Sequence, residues 1–217
     1  MSTKYPGGFI TKSPVAPTSS AASGMWTLDQ AMQLQKQGNW PSPPPTVIGQ
    51  AFGGGYYAGQ IGVSGVATHY IVVGPVSTAQ NTNKQYKTSA TSTTGASSDI
   101  DGPANSAAMN ASNHPAAFFC EGLTIGGFSD WYMPAKNELE VCYYNLKPTT
   151  TANNTAAGIN ANAVPARASN YTTGDPAQTT ASAFVTSTGA EAFAQTYYWS
   201  STEATSSTGF ALLGRLA

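Results

Sequence analysis

The sequence predicts an α+β domain with antiparallel strands and two main helices, preceded by an extended N-terminal arm. Residues 1–46 are rich in proline, serine and threonine, and proline favours extended backbone and cannot donate to a sheet. Residues 70–73 (Tyr-Ile-Val-Val) form a continuous apolar run, which is typical of a buried central strand. Residues 134–146 carry apolar side chains at helical spacing. These observations place the arm at residues 1–46 and the domain at residues 47–217.

The composition narrows the classes of function. Only 9% of the 217 residues are charged, against roughly 25% in a typical soluble domain, so neutral polar residues must cover the surface. Such a surface suits packing in a fixed assembly. The net charge is −1 and the basic residues are scattered, which argues against a nucleic-acid partner. Because the sequence shows neither an apolar leader nor a run of about 18 apolar residues, we expect neither a secretion signal nor a membrane span.

The arm contains one short helix and several large apolar side chains. Thr27 and Gln30 have the spacing of a capping box, and Gly38 is placed to end the helix. A helix this short needs a surface to pack on, and we favour another subunit over the chain's own domain. The residues expected to dock are Tyr5, Phe9, Trp26, Leu28, Met32 and Trp40.

Within the domain, residues 52–61 read as a pair of strands packed closely through glycine. Further short strands are expected at 183–185, 197–199 and 210–213. Two stretches poor in large apolar residues, 76–101 and 148–183, read as long surface excursions.

Two helices follow from the pattern of apolar residues. The first covers residues 103–122 and is broken near Pro115, which suits a first helical position; residues 116–120 are expected to pack inward. Gly126 and Gly127 turn the chain. The second helix runs from Pro134 to about Leu146, with an inward stripe formed by Leu139, Cys142, Tyr143 and Leu146.

Residues 130–134 (Asp-Trp-Tyr-Met-Pro), with Lys136, Glu138 and Leu139, and residues 197–203 (Tyr-Tyr-Trp-Ser-Ser-Thr-Glu) resemble the DUF1566 family, also called the Lcl C-terminal domain. Residues 48–55 look like the family's opening strand and residues 117–127 look like its helix-to-core turn, and both add further matches. The resemblance covers about residues 47–217 and implies a C-type-lectin-like fold, which the family uses in bacterial surface proteins and in phage tail and virion proteins.

The arm has a resemblance of its own. Residues 5–14, 23–28 and 38–41 look like the N-terminal segment that precedes various domains in phage structural proteins. A shared arm before different domains implies a shared docking site. The family usually continues with further Lys- and Arg-rich strands after the position of Gly214, whereas this sequence stops at Ala217. The last strands are then missing, dispensable or supplied by a neighbouring subunit.

Each candidate site residue has a structural interpretation and a functional one. Trp131 and Trp199 could stack on sugars, but the favoured reading places them in the fold core with Leu139 and Tyr143. Asp130, Glu138 and Glu203 could bind calcium, which needs six to eight oxygen ligands. Asp130 more plausibly caps the following helix or pairs with Lys136.

The remaining candidates point away from catalysis and towards recognition. Cys120 and Cys142 lack metal-ligand or redox spacing and read as small buried hydrophobes. No catalytic arrangement and no cofactor motif is evident, so we expect neither an enzyme nor a bound cofactor. Asn170 and Tyr171, in the second excursion, form a possible ligand loop.

The sequence therefore predicts a phage virion structural protein, made in the host cytoplasm and docked by its arm as a capsid decoration or as a head or tail appendage. The alternative is an adhesin module of the tail that binds a host receptor or surface glycan. Expected partners are other virion proteins and further copies of the chain, with a trimer suggested by the family's habit.

Overall fold

The computed structural model describes residue 17 and residues 27–37, 45–203 and 212–213. The chain divides into two compact units, residues 1–44 and residues 45–217. The predicted docking residues Tyr5, Phe9, Trp26 and Trp40, and the predicted helix end at Gly38, lie outside the described residues.

In the first unit, helix α1 spans Leu28–Lys36. Its predicted capping box is confirmed, because the Thr27 amide donates to Gln30 Oε1 at 2.9 Å and the Gln30 amide donates to Thr27 Oγ1 at 3.2 Å. Asp29 in the first turn and Lys36 in the last turn both complement the helix dipole. The start of this helix is therefore encoded locally.

The main sheet of the second unit has three antiparallel strands in the order β1 (Ala51–Phe52), β2 (Gly55–Val63) and β3 (Val66–Val73). Gly53 and Gly54 turn between β1 and β2 with φ of 56° and 81°, which confirms the predicted strand pair.

The prediction that residues 70–73 form the central strand is wrong. Among the described residues β2 is central and β3 is an edge strand. Ile71 is buried, whereas Tyr70 is exposed. A continuous apolar run indicates that the local chain is buried. It does not indicate which strand of the sheet has a hydrogen-bonded strand on each side.

Among the described residues of the second unit, three short helices precede the longest one. Helix α2 spans Val76–Ala79, α3 spans Gly102–Ala108 and α4 spans Pro115–Glu121. The predicted break is confirmed, with Pro115 at the start of α4. Asp101 caps α3 by accepting from the Ala104 amide at 3.0 Å. Inward packing holds for Ala116 and Ala117 and fails for Phe118, which is 51% exposed, because consecutive helical residues cannot all face one side.

Helix α5 spans Lys136–Leu146, and its predicted stripe of Leu139, Cys142, Tyr143 and Leu146 is buried. The helix packs on β2. A Cβ at Gly59 would lie 2.9 Å from a Val141 methyl carbon and 2.5 Å from the Asn145 amide nitrogen, so glycine permits the close approach. The largest apolar cluster forms at this contact and comprises Ala58, Ile61, Ile71, Val141, Cys142, Leu146, Ala163 and Phe184.

The two predicted surface excursions fold back into the domain. Tyr86 and Ala96 of the first, and Ala163 and Tyr171 of the second, are buried. The predicted strand at 183–185 is instead one turn of 3-10 helix, Ser182–Phe184. Strands β4 (Tyr198–Trp199) and β5 (Leu212–Leu213) pair antiparallel, in line with two of the predicted strands.

The second unit therefore combines helices with an antiparallel sheet, which is the predicted α+β class. Across the described residues, no helix is both long enough and apolar enough to cross a membrane.

Candidate functional site

A pocket of about 210 Å³ lies in the second unit, where β3, α2, α4, α5 and β4 meet. We call it the aromatic pocket. Its wall is mostly apolar and includes the rings of Phe119, Trp131 and Trp199 and the side chain of Leu123. Gln80 and Lys84 add polar groups. Concave apolar surface with a few polar groups is typical of ligand sites.

Trp131 reaches the pocket by packing over glycine. A Cβ at Gly55 would lie 3.0 Å from Trp131 Cη2, and one at Gly74 would lie 3.4 Å from Cζ3. The indole therefore rests against strand backbone with no side chain between them. Its Nε1 donates to the Phe128 carbonyl at 3.1 Å, and the side chain stays half-buried.

Trp199 forms another part of the wall. Its Nε1 donates to the Lys84 carbonyl at 3.0 Å, and its ring lies 5.6 Å from the ring of Tyr86, which is fully buried. Trp199 is itself half-buried. Trp199 packs against the buried cluster that contains Tyr86. Trp131, also predicted as fold core, belongs to none of the buried clusters found among the described residues. Both side chains line the pocket.

The polar rim of the pocket has two parts. Gln80 Nε2 donates to the Tyr198 hydroxyl at 3.0 Å, while Gln80 Oε1 is buried without a hydrogen-bond partner among the described residues. Lys84 is exposed, and its Nζ lies 5.7 Å from the centroid of the Phe119 ring. The pocket therefore offers one amide and one cation to whatever enters it.

The two cysteines, as predicted, behave as apolar side chains. Both line the pocket, and both are free thiols. Burial raises the pKa of Cys120 and of Cys142 to about 12. At neutral pH they stay protonated, and the thiolate needed for nucleophilic or metal chemistry is scarce.

A buried ion pair fixes the segment that follows β4. Lys87 Nζ lies 3.4 Å from Glu203 Oε1, and the two side chains are only 4% and 6% exposed. Lys87 also donates to the Thr91 carbonyl, and the Thr93 amide donates to the Glu203 carboxylate. The remaining polar groups of this pair are thus satisfied, which a buried ion pair requires.

His114 extends that network. Its Nε2 lies 2.9 Å from Thr93 Oγ1 and its Nδ1 lies 3.0 Å from Asn113 Oδ1. Burial, helped by the charge of Lys87, lowers the pKa of His114. The imidazole therefore favours its neutral form and serves as a hydrogen-bonding link between the first excursion and α4.

Glu138 caps α5 from inside the domain. It accepts from the Ala135 amide at 2.7 Å and from the Tyr132 hydroxyl at 3.2 Å, and it is 3% exposed. Burial raises its pKa to about 7, although both hydrogen bonds favour the charged form. A Cβ at Gly102 would lie 2.2 Å from its Oε2, so the carboxyl is enclosed by α3 as well.

A second ion pair ties the second excursion to α5. Arg167 lies 3.4 Å from Glu140, with both side chains largely buried. The guanidinium stacks on Tyr144 at 4.2 Å from the ring centroid, and the Tyr171 hydroxyl donates to Glu140 at 3.1 Å. Burial raises the pKa of Glu140, against the opposing charge of Arg167.

Lys147 is a buried cation held by carbonyls. It is 1% exposed, and its Nζ donates to the Thr151 and Pro176 carbonyls at 2.6 and 3.2 Å. Asn153 donates to the same Pro176 carbonyl at 2.9 Å. Burial lowers the pKa of Lys147. These bonds fix both ends of the stretch from 147 to 176.

The structure separates the residues predicted for a ligand loop. Asn170 is exposed, whereas Tyr171 is only 6% exposed and packs on Tyr143 with ring centroids 5.5 Å apart. The prediction that Tyr171 belongs to an exposed loop is wrong, because its ring completes a buried tyrosine cluster. Leu139 and Tyr143, predicted as core, are buried.

The residues considered for calcium do not converge. Asp130 is exposed, while Glu138 and Glu203 are buried in separate networks with protein donors. Lys136 pairs with Asp99 at 3.9 Å, and Glu138 caps α5, so the expected roles of Asp130 were wrong. No group of three or more His, Cys, Asp or Glu side chains within the described ranges is placed to hold a metal ion.

Sequence reasoning missed the buried charges Lys87, Glu140, Lys147 and Arg167, and the rim residues Gln80 and Lys84. Their neighbours are distant in the sequence, so no local pattern marks them. Comparison of the chain with family models, with curated proteins and with solved structures found no match.

Proposed function

We propose that this chain is a phage virion structural protein, docked through its N-terminal arm and presenting a neutral, rigid domain on the particle. The observation that carries the proposal is the placement of charge. Between residues 45 and 203, the basic side chains Lys87, Lys147 and Arg167 lie inside the domain, and only Lys84 and Lys136 are exposed.

Although Asp99, Asp101, Asp130 and Asp175 are also exposed, exposed charges are few for a domain of this size, and most of its surface therefore consists of neutral groups. Net surface charge keeps free proteins apart in solution, so its scarcity favours a protein that works in a fixed assembly. The enclosed charges also tie the excursions to the core through bonds that a mobile loop would not keep. Both properties suit a part of a particle that must be inert and hard to unfold.

The arm helix supplies the attachment. Helix α1 is capped by its own residues, and Met32 on this helix is 48% exposed. A helix of nine residues is marginal in isolation. A partner that covers Met32 would stabilise it, and the predicted docking residue is then an interface residue.

The test compares two variants of α1 in infected cells that express the chain. Met32→Glu places a charge at the proposed interface and should reduce incorporation into purified particles by about tenfold or more. Gln33→Glu adds the same charge at the adjacent exposed position and should incorporate nearly as the parent chain does. Quantitative mass spectrometry of gradient-purified particles measures both. Absence of the parent chain from particles, or equal incorporation of the two variants, contradicts the proposal.

The second candidate function is a receptor- or glycan-binding module of the tail. One observation favours it: Asn170 is exposed next to the anchored Tyr171, and a polar group on a braced loop is suited to recognition. Glycan-array binding by residues 47–217 that falls at least tenfold in Asn170→Ala, but not in the exposed control Asn110→Ala, would support this function. Binding that both variants keep, or that is absent from the parent domain, would exclude a role for Asn170.

A further inference from the structure

The aromatic pocket has features that packing alone does not explain. Several aromatic rings line its wall. Trp131 and Trp199 are only half-buried, because the space beside them is not filled by other side chains of the described residues. Each indole nitrogen is already bonded to a backbone carbonyl, at Phe128 and at Lys84. The rings are thus held in place, and the space beside them is maintained by the fold.

The size of the space limits what can enter. Sites for drug-sized ligands typically occupy ~300–1,000 Å³, and this pocket holds about 210 Å³. It therefore suits a group of one or two rings. Aromatic walls favour an aromatic guest, because offset and edge-to-face ring contacts add roughly 0.5–1.5 kcal/mol to simple burial.

The polar rim of the pocket indicates which charge a guest should carry. Lys84 is exposed, and its backbone is bonded to Trp199 while its Nζ sits over Phe119. The ammonium is therefore held near the apolar wall. Among the described lysines and arginines of the second unit, the only other exposed side chain is Lys136, which pairs with Asp99. The positive charge at the pocket calls for an anion on the guest.

The Gln80 amide is consistent with the same guest. As placed, its Nε2 donates to Tyr198 and its Oε1 lacks a partner among the described residues. A half-turn of the amide lets the Tyr198 hydroxyl donate to Oε1 and frees both N–H groups. Because the Oε1 position is closed to solvent, a shift of the side chain is also needed before a freed N–H can donate to an oxygen of the guest.

We propose that the aromatic pocket binds a small aromatic carboxylate, with its ring against Trp131 and Trp199 and its carboxylate at Lys84. The proposal concerns a free small molecule and is independent of the proposed function, since a structural protein and an adhesin could equally bind one. The Gln80 amide provides a second hydrogen bond to the carboxylate.

The test uses the full chain and two probes of matched size, phenylacetate and benzyl alcohol, titrated by saturation-transfer NMR. Phenylacetate is expected to bind and benzyl alcohol to bind several-fold more weakly. Lys84→Gln should weaken phenylacetate about fivefold, as expected for one exposed charge pair of ~1 kcal/mol, and should leave benzyl alcohol unchanged. Lys136→Gln, the matched control, should change neither.

A third variant tests the location of the ring. Leu123→Phe fills the pocket wall without changing charge, and it should abolish binding of both probes while circular dichroism shows the parent fold. Failure of phenylacetate to bind the parent chain at millimolar concentration overturns the proposal. Equal affinity for the two probes, or equal loss in Lys84→Gln and Lys136→Gln, overturns the assigned role of Lys84.

Discussion

At the scale of single residues, the domain is organised by side chains that carry charge inside it. Lys87, Glu138, Lys147 and Glu203 are each less than a tenth exposed, and each has bonds to protein groups. Burial of an isolated charge is unfavourable because the charge loses its hydration, and opposite charges and hydrogen bonds within the protein offset that loss. Such residues act mainly by fixing one arrangement of the chain.

Glu138 makes the stability depend on pH. Its pKa is raised to about 7 in the folded chain, above an unfolded value of roughly 4.3, so the folded state binds the proton more tightly. Its contribution is full below the unfolded pKa and is lost as pH rises through the folded pKa. The loss between these limits is on the order of 3 kcal/mol.

Glu138→Gln should remove this dependence. The difference in unfolding free energy between the parent chain and Glu138→Gln, measured by urea denaturation, should shift against the parent as pH rises from 4.5 to 7.5. His114, whose pKa is lowered, acts in the opposite direction in both proteins and cancels in the difference. A difference that stays constant with pH, or that shifts in favour of the parent, would contradict the assigned state of Glu138.

At the scale of elements, the parts predicted correctly are those that short-range patterns encode. The capping box of α1 and the stripe of α5 depend on residues three or four positions apart, and the break before α4 depends on Pro115 itself. The edge position of β3 and the packing of the two excursions against the domain depend on contacts between residues that are far apart in the sequence. Lys87 and Glu203, for example, are separated by 116 positions, and no local rule brings them together.

The second excursion behaves as part of the core, which a matched pair of variants can show. Tyr171→Ala removes a buried ring and should cost roughly 3–5 kcal/mol, as large aromatic truncations do. Tyr197→Ala, at a tyrosine that is 57% exposed, should cost less than about 1 kcal/mol. Thermal or urea unfolding measures both, and similar small losses would show that the excursion is not anchored by Tyr171.

The candidate site was only partly predictable for the same reason. The sequence marks the motifs at 130–134 and 197–203 as fold elements and favours a core position for their tryptophans. The structure adds that both rings are half-buried around a pocket. Gln80 and Lys84 come from a stretch without periodicity, and their place at the rim depends on β4 packing beside them.

At the scale of the whole molecule, the chain contains a unit with a short capped helix and a domain that encloses Lys87, Lys147 and Arg167. The α+β class follows from the sequence and is present in the structure. The lectin-like topology implied by the resemblance stays a prediction, as does the virion role.

The most direct test of the proposed virion role is a reconstruction of phage particles purified from infected cells that express the chain. We expect density that fits residues 45–203 on the particle exterior, connected through residues 1–44 to a neighbouring virion protein that covers Met32. A particle that lacks this density, or one in which the domain itself makes the attachment and α1 is free, would contradict the proposed role.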